Sequence, residues 1–397
     1  MLIKQIKQFL AIPGASTNWL WDSVLFPFFV TRSIWELIAY YVRGNYLLAP
    51  YVLHKIQTRG YFQTRIVPLD IFVRWDSNWY LSIIQNGYQA PAYFNSLGSN
   101  MRFFPLYPYL VKSIGWFGVN LPNGFYIAVG LILSNLCFLA SAALLYRLIV
   151  VSAGFDESVA RRTLGLLFVF PASFFYSAFY PESLFFFLAL GAFTFALQDK
   201  WFFTGICMAL AVVTRPPGFV LVIVLGWLYM EKHQWKLREI RASAVWFALA
   251  PIALLLHFYE LYRISGHPFA FFEVMTAWFP SQDSVFQRTF QYLQNPMLNV
   301  YKIDFVLVIL FVSCSLYICW KWSVKAYGAF AIIMCVLSLS TGSLLVSISR
   351  EYVVIFPVFI LLGEKLKRRE LYLSLMAVWF ALQVIYFAGW VNGYWIA

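Results

Sequence analysis

The stretch GFYIAVGLILSNLCFLASAALLYRL, from Gly124 to Leu148, is 25 residues long and carries one charged residue, Arg147, beside its end. A membrane-spanning α-helix needs about 20 consecutive, mostly apolar residues, so this stretch predicts one. The rest of the chain has the same character, because 62% of its 397 residues are hydrophobic and only 12% are charged. Soluble domains carry roughly 25% charged residues. The composition therefore excludes a soluble protein and predicts an all-α, polytopic membrane protein.

Similar apolar stretches recur along the chain, and we predict about eleven transmembrane helices in a single domain that covers residues 1–397. The predicted spans are 19–42, 124–148, 163–180, 183–198, 201–214, 217–230, 243–262, 303–320, 326–346, 352–363 and 371–391.

The basic residues predict the orientation of these spans. Two strongly basic segments, EKHQWKLREIR and EKLKRRE, end apolar stretches and are expected in the cytoplasm. The formal charge of +12 is attributed to such segments and to lipid headgroups, not to nucleic acid. Two long loops, 43–123 and 263–302, are then non-cytoplasmic. Residues 103–119 are expected to be interfacial or re-entrant, because they contain Pro105 and Pro108 and because a crossing there would reverse the charge asymmetry.

The segment RWDSNWYLSIIQNGY, residues 74–88, places an acid among aromatic residues in the first outer loop. Asp76 is a candidate general base, since a carboxylate can accept the proton of an attacking hydroxyl. It is equally a candidate N-cap of the helix that follows. Trp75, Trp79 and Tyr80 are either anchors at the membrane interface or a surface on which a sugar stacks.

Several other polar residues map to the same predicted face. Each alone is explained by a cap, by snorkelling or by a local ion pair, but together they indicate a cavity with a partner. They are Glu182, Arg215, His267, Glu273 and Arg350. The two arginines are candidates to hold a lipid phosphate through charge-assisted bonds. By contrast, Arg32 and Glu36 are four residues apart in the first span and predict an internal ion pair.

No metal or cofactor motif is evident in the sequence. All five cysteines lie inside apolar segments, and the four histidines are scattered along the chain. We therefore predict no structural disulfide, no metal site and no cofactor.

The ordered blocks RWDSNWYLSIIQNGY, FFPLYP, YPESLFF, TRPPG, SGHPFAFFE and SREYVVIFPVF resemble the signature of the PIG-V family. That family contains the second mannosyltransferase of GPI-anchor synthesis and prokaryotic relatives. The resemblance covers about residues 70–360. Two positions depart from the family pattern: His267 stands where relatives often have an acid, and SREY has one more residue between arginine and tyrosine than the usual RY.

The resemblance implies a GT-C glycosyltransferase, a multi-pass enzyme that uses a polyprenyl-phosphate-linked sugar at the non-cytoplasmic face. The implied acceptor is a hydroxyl of a lipid or glycan, with Asp76 as the base. Arg215 and Arg350 match the arginines of the family's motifs. Direct attack would invert the anomeric centre, so a second carboxylate is not needed as a nucleophile. The compact length favours a bacterial plasma membrane over the endoplasmic reticulum.

Two other functions stay open at this point. One is a carrier or flippase of a polyprenyl-linked or other amphiphilic lipid, which should show paired, interrupted helices. The other is a non-catalytic partner in a glycan-synthesis complex, which would tolerate the loss of Asp76.

Overall fold

A computed structural model describes most of the chain, with gaps at the N-terminus, in the two long predicted loops and at 341–346, the end of the predicted span 326–346. The described residues are 12, 16–59, 62–90, 99–114, 121–236, 238, 240–278, 287, 290, 294, 300–340 and 347–396. Within these ranges the ordered elements are all helical. The predicted all-α class is therefore confirmed. Parts of the loops 43–123 and 263–302 lie outside the described residues.

Seventeen α-helices, α1 to α17, are found in the described part of the chain. The first nine are α1 (Phe26–Asn45), α2 (Pro50–Arg59), α3 (Val67–Asp70), α4 (Ser77–Asn86), α5 (Leu106–Ile114), α6 (Asn123–Arg147), α7 (Glu157–Val169), α8 (Glu182–Leu197) and α9 (Trp201–Val212). The remaining eight are α10 (Gly218–Lys232), α11 (Leu249–Ser265), α12 (Ala270–Trp278), α13 (Val300–Lys321), α14 (Lys325–Ser340), α15 (Ile348–Tyr352), α16 (Phe356–Lys365) and α17 (Arg369–Val391).

Four helical segments are long and apolar enough to cross a membrane, judged by length and composition. They are Asn123–Ser152, Ala242–Ser265, Lys302–Lys321 and Arg369–Val391. Shorter apolar helices, among them α8 and α9, lie between them in sequence. The chain is thus a polytopic membrane protein, while the number of eleven spans stays a prediction.

The centre of the helical bundle is formed by α8 and α16. Most side chains of α8 are buried on every side of the helix, and the residues from Phe356 to Gly363 in α16 are buried without interruption. A helix that is apolar all round belongs in an interior. Around them pack α6, α7, α9 and α14. Aromatic rings fill the space between elements, as where Phe138 stacks on Tyr176 with ring centroids 4.3 Å apart.

One predicted span and one predicted ion pair differ clearly from the structure. The predicted span 163–180 is not one helix, because α7 ends at Val169 and a separate 3₁₀ turn covers Ser173–Ser177. The cause is Pro171, which disfavours helical backbone at the preceding residue; Phe170 is extended, with ψ 139°. The predicted ion pair within the first span is also wrong. Arg32 donates instead to the Ser177 hydroxyl (3.0 Å) and lies over the rings of Phe28 and Trp35.

The segment 103–119 contains one short helix, α5, whose nine residues extend about 14 Å, less than half of a bilayer core. This length agrees with an interfacial or re-entrant segment. Residues 115–119 lie outside the described part.

Candidate active site

Asp76 stands directly before α4, at the position of an N-cap, but its side chain makes no capping hydrogen bond. Its Oδ2 instead accepts from Nη1 of Arg350 at 2.7 Å. The turn that presents it is unusual, because Trp75 has a left-handed backbone with φ +51°, a conformation that costs a residue with a Cβ about 1 kcal/mol or more. The backbone N–H of Asp76 donates to the Tyr180 hydroxyl (3.0 Å). Its carboxylate is therefore directed by tertiary contacts and not by helix capping.

Five charged side chains from four separate segments form one network, which we call the ion-pair cluster: Asp76, Glu182, Arg215, Arg350 and Glu351. Arg350 is the link between two acids, because its Nη1 bonds to Asp76 and its Nε donates to Oε1 of Glu182 at 2.6 Å. Arg215 repeats the arrangement. Its Nη1 lies 3.3 Å from the same Glu182 oxygen, and its Nη2 donates to Glu351 at 2.6 Å.

Exposure divides the cluster into an inner and an outer part. The side chain of Glu182 is 0% exposed and those of Arg215 and Arg350 are 6% and 10% exposed. Asp76 and Glu351 reach 15% and 25%. Glu182 is the first residue of α8, where the helix dipole favours a negative charge. The buried glutamate thus fixes two arginines, and the two acids at the margin are the ones that a ligand can reach.

Two residues near the cluster, Tyr80 and Arg102, interact electrostatically with its charged groups. Burial raises the pKa of Tyr80, and the nearby Glu182 raises it further, so this phenol stays neutral and is no candidate base. Burial lowers the pKa of Arg102, whereas the charge of Asp76 raises it. Arg102 therefore adds a positive charge close to Asp76 and Glu351.

Aromatic residues lie on both sides of Asp76 in the sequence, and their rings pack against one another and against other elements. Trp79 stacks on Phe103 (5.9 Å, 18°), and the ring of Trp75 meets Trp395 edge-on at 4.6 Å. Both tryptophans of the 74–88 segment are partly exposed. Tyr80 differs from them, since it is 4% exposed and packs against Tyr107 and Tyr180. The two partly exposed tryptophans offer apolar surface next to Asp76, while Tyr80 is buried and packs beneath the site.

His267 and Glu273 form a separate pair. The ring Nδ1 of His267 lies 3.4 Å from Glu273 Oε1, and both side chains are about 40% exposed. They flank the start of α12, which packs against the 3₁₀ turn Asn100–Arg102. The ion pairs of the described residues join four of the predicted polar residues, Asp76, Glu182, Arg215 and Arg350, and leave this pair outside the cluster.

Three residues near the site are not among those predicted from the sequence: Glu351, Arg102 and Trp395. Glu351 is the additional residue of the SREY block, so its departure from the family pattern was a usable signal. Arg102 directly precedes FFPLYP, which was another. Trp395 lies far along the chain from Trp75, and the sequence offered no signal that the two rings would meet.

The chain is similar to known proteins in both sequence and structure. The profile of the family described as "Mannosyltransferase (PIG-V)" matches residues 66–272. The "GPI mannosyltransferase pigv-1" of Caenorhabditis elegans is 29% identical over 185 residues, which are 41% of this chain and 26% of that protein. The match thus spans about a quarter of the length of that relative.

Among solved structures, two forms of the Archaeoglobus fulgidus oligosaccharyltransferase are similar to the chain. One is a complex with Zn and sulfate: 14% identity, TM-score 0.44, covering 91% of this chain and 52% of that one. The other, named AglB, is a complex with an inhibitory peptide and a dolichol-phosphate: 12% identity, TM-score 0.44, covering 92% and 55%.

Proposed function

The chain belongs to the PIG-V family of mannosyltransferases, and from that premise we propose that it transfers a sugar, mannose by family, from a polyprenyl-phosphate carrier to a hydroxyl of a lipid or glycan acceptor. Asp76 is the general base of this GT-C-type reaction. The observation that carries the proposal is the position of Asp76. It is a partly exposed carboxylate at the margin of a cluster that contains two buried arginines, beside two partly exposed tryptophans.

The reaction follows from the groups at hand. The carboxylate of Asp76 takes the proton of the acceptor hydroxyl while that oxygen forms a bond to the anomeric carbon. The bond between this carbon and the phosphate oxygen breaks, and the polyprenyl phosphate leaves with the electron pair. Attack opposite the leaving group inverts the anomeric centre. The negative charge that develops on the phosphate is stabilised by arginines, whose forked donors suit phosphate oxygens.

The proposal includes the face of the membrane. Arg215 lies three residues before α10 begins, and α10 ends at Lys232. Its 15 residues separate the two by about 22 Å. Lys200, at the start of α9, and Lys365, at the end of α16, also lie at helix ends away from the cluster. Since Lys and Arg concentrate in cytoplasmic loops, this distribution supports a non-cytoplasmic site.

We further propose that the chain acts as a single domain whose long loops, 43–123 and 263–302, lie on the same side as the site. His267 and Glu273 fall in the second loop, and the helix α12, which contains Glu273, packs against the turn that contains Arg102. We assign them to the acceptor side and Trp75 and Trp79 to the sugar. A bacterial plasma membrane is the proposed location.

Asp76→Asn tests the proposal. The purified protein is incubated with polyprenyl-phosphate-mannose and lipid extract, and the glycosylated product is identified by mass spectrometry. Asparagine still offers an oxygen to Arg350 and caps a helix about as well as aspartate. Loss of a general base typically lowers the rate about 100- to 10,000-fold. Asp199→Asn, at an exposed ion pair with Lys232 on the opposite end of the bundle, is the matched control.

The two variants give a clear decision. The proposal expects Asp199→Asn to transfer sugar like the parent and Asp76→Asn to be nearly inactive at equal folded amounts. If Asp76→Asn transfers sugar at close to the parental rate, Asp76 is not the base, and Glu182 or Glu273 becomes the candidate for that role.

A further inference from the structure

Arg215 lies between a carboxylate that cannot move and one that can. Glu182 is 0% exposed and also binds Arg350, so its departure would leave two buried guanidinium groups short of a counter-charge. Glu351 is 25% exposed and pairs with Arg215 through Nη2 alone. Since Arg215 itself is only 6% exposed, an incoming anion reaches its Nη2 at the place where Glu351 now sits.

The net charge of the ion-pair cluster also favours the position of Glu351 at Arg215 as the one that a phosphate occupies. Three carboxylates and two arginines give the ion-pair cluster a net charge of −1. A phosphate diester added to this cluster would raise its negative charge to −2, or leave −1 when the nearby Arg102 is counted, in a poorly hydrated site, which like-charge repulsion opposes. If the phosphate replaces Glu351 at Arg215, the arginines keep the same number of anionic partners.

The side chain of Glu351 can occupy another position once it leaves Arg215. It lies at the exposed margin of the cluster, and its charge acts on the half-buried guanidinium of Arg102. Glu351 belongs to the short helix α15, so its side chain can rotate away without moving Arg350, which Glu182 and Asp76 hold in place.

We infer that Glu351 is a resident anion that occupies the phosphate position at Arg215 and must be displaced when a phosphate monoester or diester binds. This inference rests on the proposed function for the identity of the ligand, a polyprenyl phosphate. It makes Glu351 a determinant of donor and product affinity: removing its charge strengthens phosphate binding, whereas removal of a residue that merely completes the site weakens it.

The test measures binding of undecaprenyl phosphate to the full chain in detergent micelles by native mass spectrometry. Glu351→Gln should bind about fivefold more tightly than the parent, the equivalent of about 1 kcal/mol for a partly exposed ion pair. Glu351→Ala is the second variant and should behave alike. The gain should vanish when Arg215→Gln is added. Glu364→Gln is the control, because Glu364 is also 25% exposed and also pairs with a cation, Lys365 at 3.0 Å.

Two further ligands identify the source of the phosphate. Undecaprenol, which lacks the phosphate, should bind the parent and Glu351→Gln equally. If inorganic phosphate displaces undecaprenyl phosphate from the parent, the site binds free phosphate as well as a lipid phosphate. The inference is overturned if Glu351→Gln binds undecaprenyl phosphate no more tightly than the parent does, or if neither binds it. Tighter binding without any sugar transfer would leave the inference standing and remove the proposed function.

Discussion

Glu182→Gln removes the charge at the centre of the ion-pair cluster and keeps the size of the side chain. In the parent, one oxygen of Glu182 accepts from Arg350 at 2.6 Å and lies 3.3 Å from Arg215. Removing one partner from a buried ion pair typically costs about 3–5 kcal/mol. Here each arginine keeps a second acid, Asp76 at 2.7 Å and Glu351 at 2.6 Å. We therefore expect the lower end, about 3 kcal/mol of unfolding free energy.

Unfolding in mixed micelles with increasing SDS, followed by tryptophan fluorescence, measures this change, and the chain has 16 tryptophans to report it. Glu364→Gln, in an exposed pair with Lys365, is the control and should cost less than about 1 kcal/mol. Glu182→Gln should also lower the transfer rate, because both arginines lose their shared anchor. A Glu182→Gln transition that superimposes on that of the parent would refute the reasoning, since the buried carboxylate would then contribute nothing to stability.

Three further predictions concern the site and its setting. Arg350→Lys keeps the charge but cannot bond to Glu182 and Asp76 at once, so kcat/KM should fall about 10- to 100-fold. An unchanged kcat/KM would mean that the two simultaneous bonds of the Arg350 guanidinium have no role in the reaction. Gly130→Val should lower the melting temperature, because a side chain there would overlap the Phe179 ring, and a parental melting temperature would contradict the packing described. In a background without native cysteines, an impermeant thiol reagent applied from outside should label Tyr46→Cys and spare Gln234→Cys; the reverse pattern would place the site in the cytoplasm.

The long apolar helices were predictable from the sequence because membrane crossing requires long apolar stretches, and the observed bounds of α6, α8 and α17 lie within about two residues of the predicted ones. The end of α7 at Val169 could also have been predicted, because Pro171 disfavours helical backbone at the residue before it. Of the site, Asp76, Glu182, Arg215 and Arg350 were predicted, since acids and arginines at membrane depth are costly without partners. The pairing of these four residues with one another could not be predicted from the sequence. That depends on how segments far apart in sequence pack, and for this reason Glu351 was overlooked.

The bond between Glu182 and Arg350 spans 168 positions of the chain, and this separation bears on biogenesis. When α8 has just been synthesised, neither Arg215 nor Arg350 exists yet, and the pairs of Glu182 and Asp76 with Arg350 form only after α15 has been made. An unpaired carboxylate at membrane depth is costly. Nascent chains that end before residue 350 therefore lack the guanidinium group that joins Asp76 to Glu182, and we expect them to be held by insertion chaperones or degraded.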